Sequence, residues 1–262
     1  MSVADTNGGP GGLQSVDRAL QVLELLATWG SGGVSELAAE IGVHKSTAFR
    51  LLGALEARDL VEQTSERGKY QLGFGLARLA RRVNVHPEIT DQARTVTEAL
   101  AHKVGESINV AVLRETFVVN VVQSRGQASI ASHNWIGQLT PLHATSSGKV
   151  LLAFLDPADR APLIGHGLER FTVNTHTDPV LLEDELALVL DRGHATTYGE
   201  LEVGLNAVAV PVRGEDGTVV AALSASGPAY RLTPERIAEI LGKIETSGVE
   251  LSRRLGHWGN AA

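Results

Sequence analysis

Residues 35–52, SELAAEIGVHKSTAFRLL, limit what the chain can fold into more than any other segment. A short helix is expected to start near Ser35 as N-cap, with Leu37, Ala38 and Ile41 on its inner side. Ala38 rather than Glu stands at N3, so no capping box is expected. Gly42 falls where a tight turn between two helices requires a positive φ. The spacing predicts a longer helix over about residues 45–57, with Ala48, Leu51, Leu52 and Leu55 on one face. Its other side displays His44, Lys45, Ser46, Thr47 and Arg50, and no acidic residue occurs between Ile41 and Leu55. Donors without a repelling carboxylate are what a helix needs to enter the major groove of DNA. Arg50 is the candidate for a guanine or phosphate contact, and Lys45, Ser46 and Thr47 sit at the helix N-terminus with Ser35 nearby. A solvated polar face on a packing module is the plainer alternative. The glycine turn and the basic residues that follow weigh against it.

The flanking segments complete a winged helix-turn-helix. Val16, Ala19, Leu20, Leu23, Leu26 and Ala27 recur at helical spacing from Ser15, and Gly30, Gly32 and Gly33 end that run. Residues 60–63 and 69–72 alternate as two strands around the polar turn 64–68, placing Arg67 and Lys69 where a wing grips flanking phosphates. Residues 73–83 read as a connecting helix, and His86–Pro87 as a break. Beyond it, helices are expected at about 89–104, 147–155, 157–164, 180–192 and 234–255. Strands are expected at 107–113, 117–123, 128–132, 194–198, 207–212 and 219–225. The fold class is therefore α+β: a winged helix-turn-helix joined by a linker helix to a sheet-based sensor domain. The expected boundaries are a tail at 1–12, the DNA-binding domain at 13–73, the linker at 74–86, the second domain at 87–256 and a tail at 257–262.

Composition bounds the chemistry. The 262 residues carry a net charge of −7, yet residues 1–85 hold nine basic and nine acidic side chains, so the whole excess lies in the second part. Only the first part is suited to approach phosphates. The chain contains no cysteine, which excludes disulfides and thiolate metal sites and fits a reducing cytoplasm. No run approaches the ~20 apolar residues of a membrane span, and no secretory signal is expected. The histidines show no metal-ligand spacing, and neither a metal nor a cofactor is expected. A phosphate-binding loop would need Gly where His143 stands and Ser or Thr where Val150 stands. Ser146-x-x-Lys149 matches one acyl-enzyme motif, but its partner motifs are missing from the sequence. No nucleophile–base set emerges, and the chain is read as a regulator rather than an enzyme, the alternative being a small-molecule enzyme with an accessory winged helix.

Several ordered motifs carry a resemblance. The opening 14–20 (QSVDRAL), residues 35–52, Tyr70-Gln71-Leu72-Gly73, 143–149 (HATSSGK) and 224–228 (SASGP) resemble the IclR family of bacterial regulators across roughly residues 13–256. The resemblance implies a GAF/PAS-like second domain that binds a small organic effector, a linker helix that helps dimerise, and dimers or tetramers on a palindromic duplex operator. It also implies site residues. On residue types alone Ser146, Ser147 and Gly148 fit an ordinary capped helix, the simpler reading, or a seat for a carboxylate at a helix N-terminus. The family places the effector on the amides of the two residues before that glycine, here Ser146 and Ser147. Ser224 and Ser226 share one face of a strand, and buried serines commonly bond backbone. In the family this Ser-x-Ser pair contacts effector. Members that bind glyoxylate carry an Asp and a Cys where Thr197 and Ala207 stand here, so a bulkier effector such as an aromatic or sugar acid is expected. Glu200, Glu202 and Asn206 offer replacement polar groups, and Thr140, Leu142 and Leu205 are expected as walls.

Overall fold

The computed structural model describes residues 11–64, 68–80, 87–126, 134–165 and 167–258. The chain divides into two compact units, residues 1–84 and 85–262, and each is described by itself.

The N-terminal unit packs α1 (Gly11–Trp29), α2 (Val34–Glu40) and α3 (Lys45–Glu56) against a three-stranded antiparallel sheet of order β1-β3-β2: β1 Gly32–Gly33, β2 Val61–Gln63, β3 Lys69–Leu72. Its core is Val22, Leu26, Leu37, Leu52, Leu55, Val61 and Tyr70. The face that α1 buries is thus set by Val22 and Leu26, while Val16 and Leu20 remain exposed. Helix α1 starts at Gly11, earlier than its apolar periodicity indicates. Helix α2 starts at Val34, not after Ser35. Gly33 is its N-cap, and the Glu36 carboxylate at N3 accepts the Gly33 amide at 2.8 Å. One half of a capping box is therefore present, because the helix begins earlier than expected. Gly32 and Gly33, expected only to stop α1, pair with Tyr70 and Lys69 as a third strand. Helix α4 (Phe74–Ala80) closes the unit. Residues 81–86 of the expected linker, and the expected strand at 128–132, lie outside the described residues.

In the C-terminal unit six antiparallel strands run in the order β6-β5-β4-β9-β8-β7. They are β4 Ser107–Arg114, β5 Phe117–Ser124, β6 Leu139–Pro141, β7 Ala195–Tyr198, β8 Leu205–Arg213 and β9 Val219–Pro228. Helices α5 (Pro87–Val104) and α9 (Pro234–Arg254) cover one face through Ile108, Val110, Val112, Val210, Val212 and Leu223. The other face carries α6 (Ser146–Ala153), α7 (Pro157–Gly165) and α8 (Pro179–Arg192) over Ala111, Ala209 and Ala222. Those three alanines let α6 lie close to the strands. With both faces covered, the central strands are apolar on both sides, and a polar residue inside them needs a reason. Strand β6 lay outside the expected elements, and β8 starts at Leu205 rather than 207.

Candidate functional site

In the N-terminal unit Gly42 has φ +64° and closes the turn, with Val43 donating to Ala38 O at 2.9 Å. A side chain there would be strained in the left-handed region. His44 is the N-cap of α3, and Ala48, Leu52 and Leu55 face inward. Lys45, Ser46 and Arg50 are therefore outward and exposed, with Thr47 half-buried. Ser35 is exposed in the first turn of α2, and Lys69 opens β3 half-buried; Arg67 lies outside the described residues. Sequence reasoning passed over Phe49, which sits between Thr47 and Arg50 with 60 % of its surface exposed. A large aromatic left in water beside the cationic residues was visible in the sequence as the one bulky apolar residue off the buried face.

In the C-terminal unit a cavity opens between α6 and the β4–β9–β8–β7 part of the sheet. Register explains who meets there. Thr197 pairs with Ala207, Ala207 with Ser226, and Asn109 with Ser224, so one cross-strand row and its neighbour supply the floor. Ser146 and Ser147 line it from the start of α6, and Thr140, Val118, Trp135, Leu201 and Leu205 form walls. Thr145 caps α6: its Oγ1 accepts the Gly148 amide at 3.1 Å and its carbonyl accepts the Lys149 amide at 2.9 Å. The Ser146 and Ser147 amides remain as the two first-turn donors with no acceptor among the described residues, at the positive end of the helix.

Five expected site residues lie off the cavity, Glu200, bound to Lys149, among them. Glu202 is exposed and off the cavity. Asn206 lies between Leu205 and Ala207 in β8, so it faces the other side of the sheet, where its Nδ2 donates to Leu232 O at 2.9 Å. Leu142 is a core residue under α6. Gly148 does not line the cavity; a Cβ on it would stand 2.1 Å from Leu142 O, so it is the point where α6 touches the incoming chain. Gly148→Ala should push α6 outward at a cost of about 1–3 kcal/mol. A thermal melt should show a drop of several degrees; an unchanged melt would mean the contact relaxes freely.

Lys149 holds the cavity wall together. It is fully buried, and its Nζ donates to Glu185 Oε1 at 2.7 Å and to both Glu200 oxygens at 2.9 and 2.7 Å. Thr172 Oγ1 donates to Gly199 O and Thr175 Oγ1 to Glu200 O, fixing the segment that carries Leu201. Burial pushes the Glu200 carboxyl above its ordinary range, against the pull of Lys149. His143 is held by Glu169 O at 2.8 Å, and burial lowers its pKa, so it is a neutral structural residue. With the Lys149 ammonium spent on carboxylates, Ser146 and Lys149 make no nucleophile–base pair, and no charged side chain lines the cavity among the described residues.

A winged unit whose recognition helix carries Lys45 and Arg50 and no acid before Glu56, beside a separate sheet domain with a cavity free of charged lining among the described residues, defines a DNA-binding transcriptional regulator. Comparison with known proteins agrees. Residues 15–65 match the IclR helix-turn-helix domain, and residues 82–253 match the bacterial transcriptional regulator IclR C-terminal family. The chain is 32 % identical over 247 residues, 94 % of its length and 98 % of the relative's, to the HTH-type transcriptional regulator XynR of Escherichia coli K12. It matches the crystal structure of the Thermotoga maritima IclR with a TM-score of 0.79 and 28 % identity, over 94 % of this chain and 100 % of that one. An IclR homolog from Microbacterium hydrocarbonoxydans complexed with 4-hydroxybenzoate matches with a TM-score of 0.74 and 28 % identity, over 93 % and 98 % of the two chains. The chain belongs to the IclR family of bacterial transcriptional regulators.

Proposed function

We propose that a small organic carboxylate bound in the α6 cavity controls how this regulator holds a duplex operator. The observation that carries the reading is the pair of unaccepted amides at Ser146 and Ser147, aimed from a helix N-terminus at a cavity whose remaining polar groups are neutral hydroxyls and amides. Ser146, Ser147, Thr197, Ala207, Ser224 and Ser226 form the binding set. The bound 4-hydroxybenzoate of the Microbacterium relative supports an acid of that size. Thr197 and Ala207 leave more room than an Asp–Cys pair would.

On the DNA side, Lys45, Ser46, Thr47 and Arg50 enter the major groove, with Ser35, His44, Arg67 and Lys69 on the flanking backbone. Phe49 is placed to meet thymine methyl groups. The protein acts as a homo-oligomer in the cytoplasm. Val16 and Leu20 on α1, and Phe74 and Leu79 on α4, expose an apolar surface that a second copy would cover. The effector changes the spacing of the two recognition helices, which must match half-sites about one DNA turn apart or a multiple.

Thermal-shift screening of the full chain against carboxylic acids tests this, because a ligand that binds the folded state raises the melting temperature. At least one acid should stabilise the protein and alter its operator binding in a gel shift. Ser224→Ala with Ser226→Ala should weaken that acid by about tenfold or more, at about 1 kcal/mol per neutral hydrogen bond, and leave operator binding intact. Loss of operator binding in the same variant would make those serines structural.

A further inference from the structure

Asn109 lies in the middle of β4, between the core residues Ile108 and Val110, with only 3 % of its surface exposed. Its side chain is on the α6 side of the sheet and lines the cavity. The Nδ2 donates to Ser226 Oγ at 3.2 Å. The Oδ1 has no hydrogen-bond partner, and it is the one buried side-chain polar atom so left among the described residues. Such an orphan carries a desolvation penalty that an apolar residue of the same size would not, and Asn is disfavoured in strands. No described residue uses this carbonyl, and its place is the wall of the cavity.

We infer that Asn109 determines specificity: its Oδ1 accepts a hydrogen bond from a hydroxyl of the effector, which is therefore a hydroxylated carboxylic acid. This rests on the cavity being the effector site. The carboxylate sits on the Ser146 and Ser147 amides, and Val118, Trp135, Leu201 and Leu205 enclose the carbon skeleton. A cationic amine is the wrong donor, because no carboxylate lines the cavity among the described residues to balance it. A second amide lining the cavity, Asn120 on β5, offers a further hydroxyl partner in the same wall.

Calorimetric titration of the full-length protein with matched acids tests the assignment: benzoate against 3- and 4-hydroxybenzoate, and butyrate against 3- and 4-hydroxybutyrate. At least one hydroxylated acid should bind about tenfold or more tightly than its parent, since a polar group left unpaired in the site penalises the parent. In Asn109→Leu that ratio should fall to about twofold or less, with the parent acid still bound and the melting temperature of the unliganded protein no lower. Should Asn109→Leu misfold, Asn109→Ala carries the same comparison. Parents binding as tightly as hydroxylated acids, or a ratio retained in the variants, would overturn the role of Asn109 alone. No acid of either kind binding would overturn the carboxylate reading itself, and this assignment with it.

Discussion

Lys45→Ala together with Arg50→Ala should reduce operator affinity by at least about 100-fold while the protein keeps its melting temperature. Both side chains are exposed on α3 and contribute nothing to the core formed by Ala48, Leu52 and Leu55, so their removal leaves the fold alone. A good base-edge contact contributes about 1–3 kcal/mol of discrimination, and in a symmetric dimer each change acts in both half-sites. The two residues should also separate by salt. Loss of a phosphate contact lowers the salt slope by about one per contact, whereas loss of a base contact relaxes sequence preference. Anisotropy titrations at several salt concentrations measure both. Undiminished binding by the double variant would mean that α3 is not the reading helix.

Lys149→Met should destabilise the effector domain by about 3–5 kcal/mol, the usual result of removing one partner of a buried ion pair. The effect is large because Glu200 stays behind, buried, with only the remote help of its neighbours; Glu185 is partly exposed and can turn to water. The loss should depend on pH with a defined sign. Glu200 already has a folded pKa raised above its ordinary value of about 4.5, by burial. Removing the ammonium raises it further. A carboxyl with a raised folded pKa contributes stability that is complete below the unfolded pKa and is lost as pH rises through the folded one. The deficit of Lys149→Met should therefore grow from pH 5 to pH 8. Adding Glu200→Gln should recover part of the stability and flatten the pH dependence. Melting curves of the three proteins across that range decide it; a pH-independent deficit would place the cost in packing rather than charge. Because this pair anchors the segment carrying Leu201 against α6, the same variant should also lose effector affinity.

How much of this was legible in the sequence follows from the range of the interactions. The turn at Gly42 and the face of α3 are local, and their spacing in residues 35–52 sufficed to place Lys45, Ser46 and Arg50 outward. The start of α6 was legible for the same reason. Strand β1 was not, because two consecutive glycines carry no periodicity and their pairing with Tyr70 and Lys69 is made across the fold. Asn206 was read as a pocket group because the strand was expected to begin only at 207; β8 starts at Leu205, so Asn206 alternates between two cavity-facing residues and faces away. Glu200 and Lys149 lie 51 residues apart, so neither residue type alone indicates the pair. Asn109 and Asn120 lie inside strands read only as apolar runs, and neither was singled out. A strand-disfavoured amide inside such a run was the available signal, and only burial shows that it points at a cavity.

The α3 surface and the α6 cavity together imply sequence-specific operator recognition that a bound carboxylate changes. Selecting duplexes from a random library with the full-length protein, then titrating the winner with and without the most stabilising acid, tests it most directly. An inverted repeat with half-site centres about one helical turn apart or a multiple should be enriched, with an affinity that shifts when the acid is added. No enriched repeat, or an affinity the acid leaves unchanged, would contradict it.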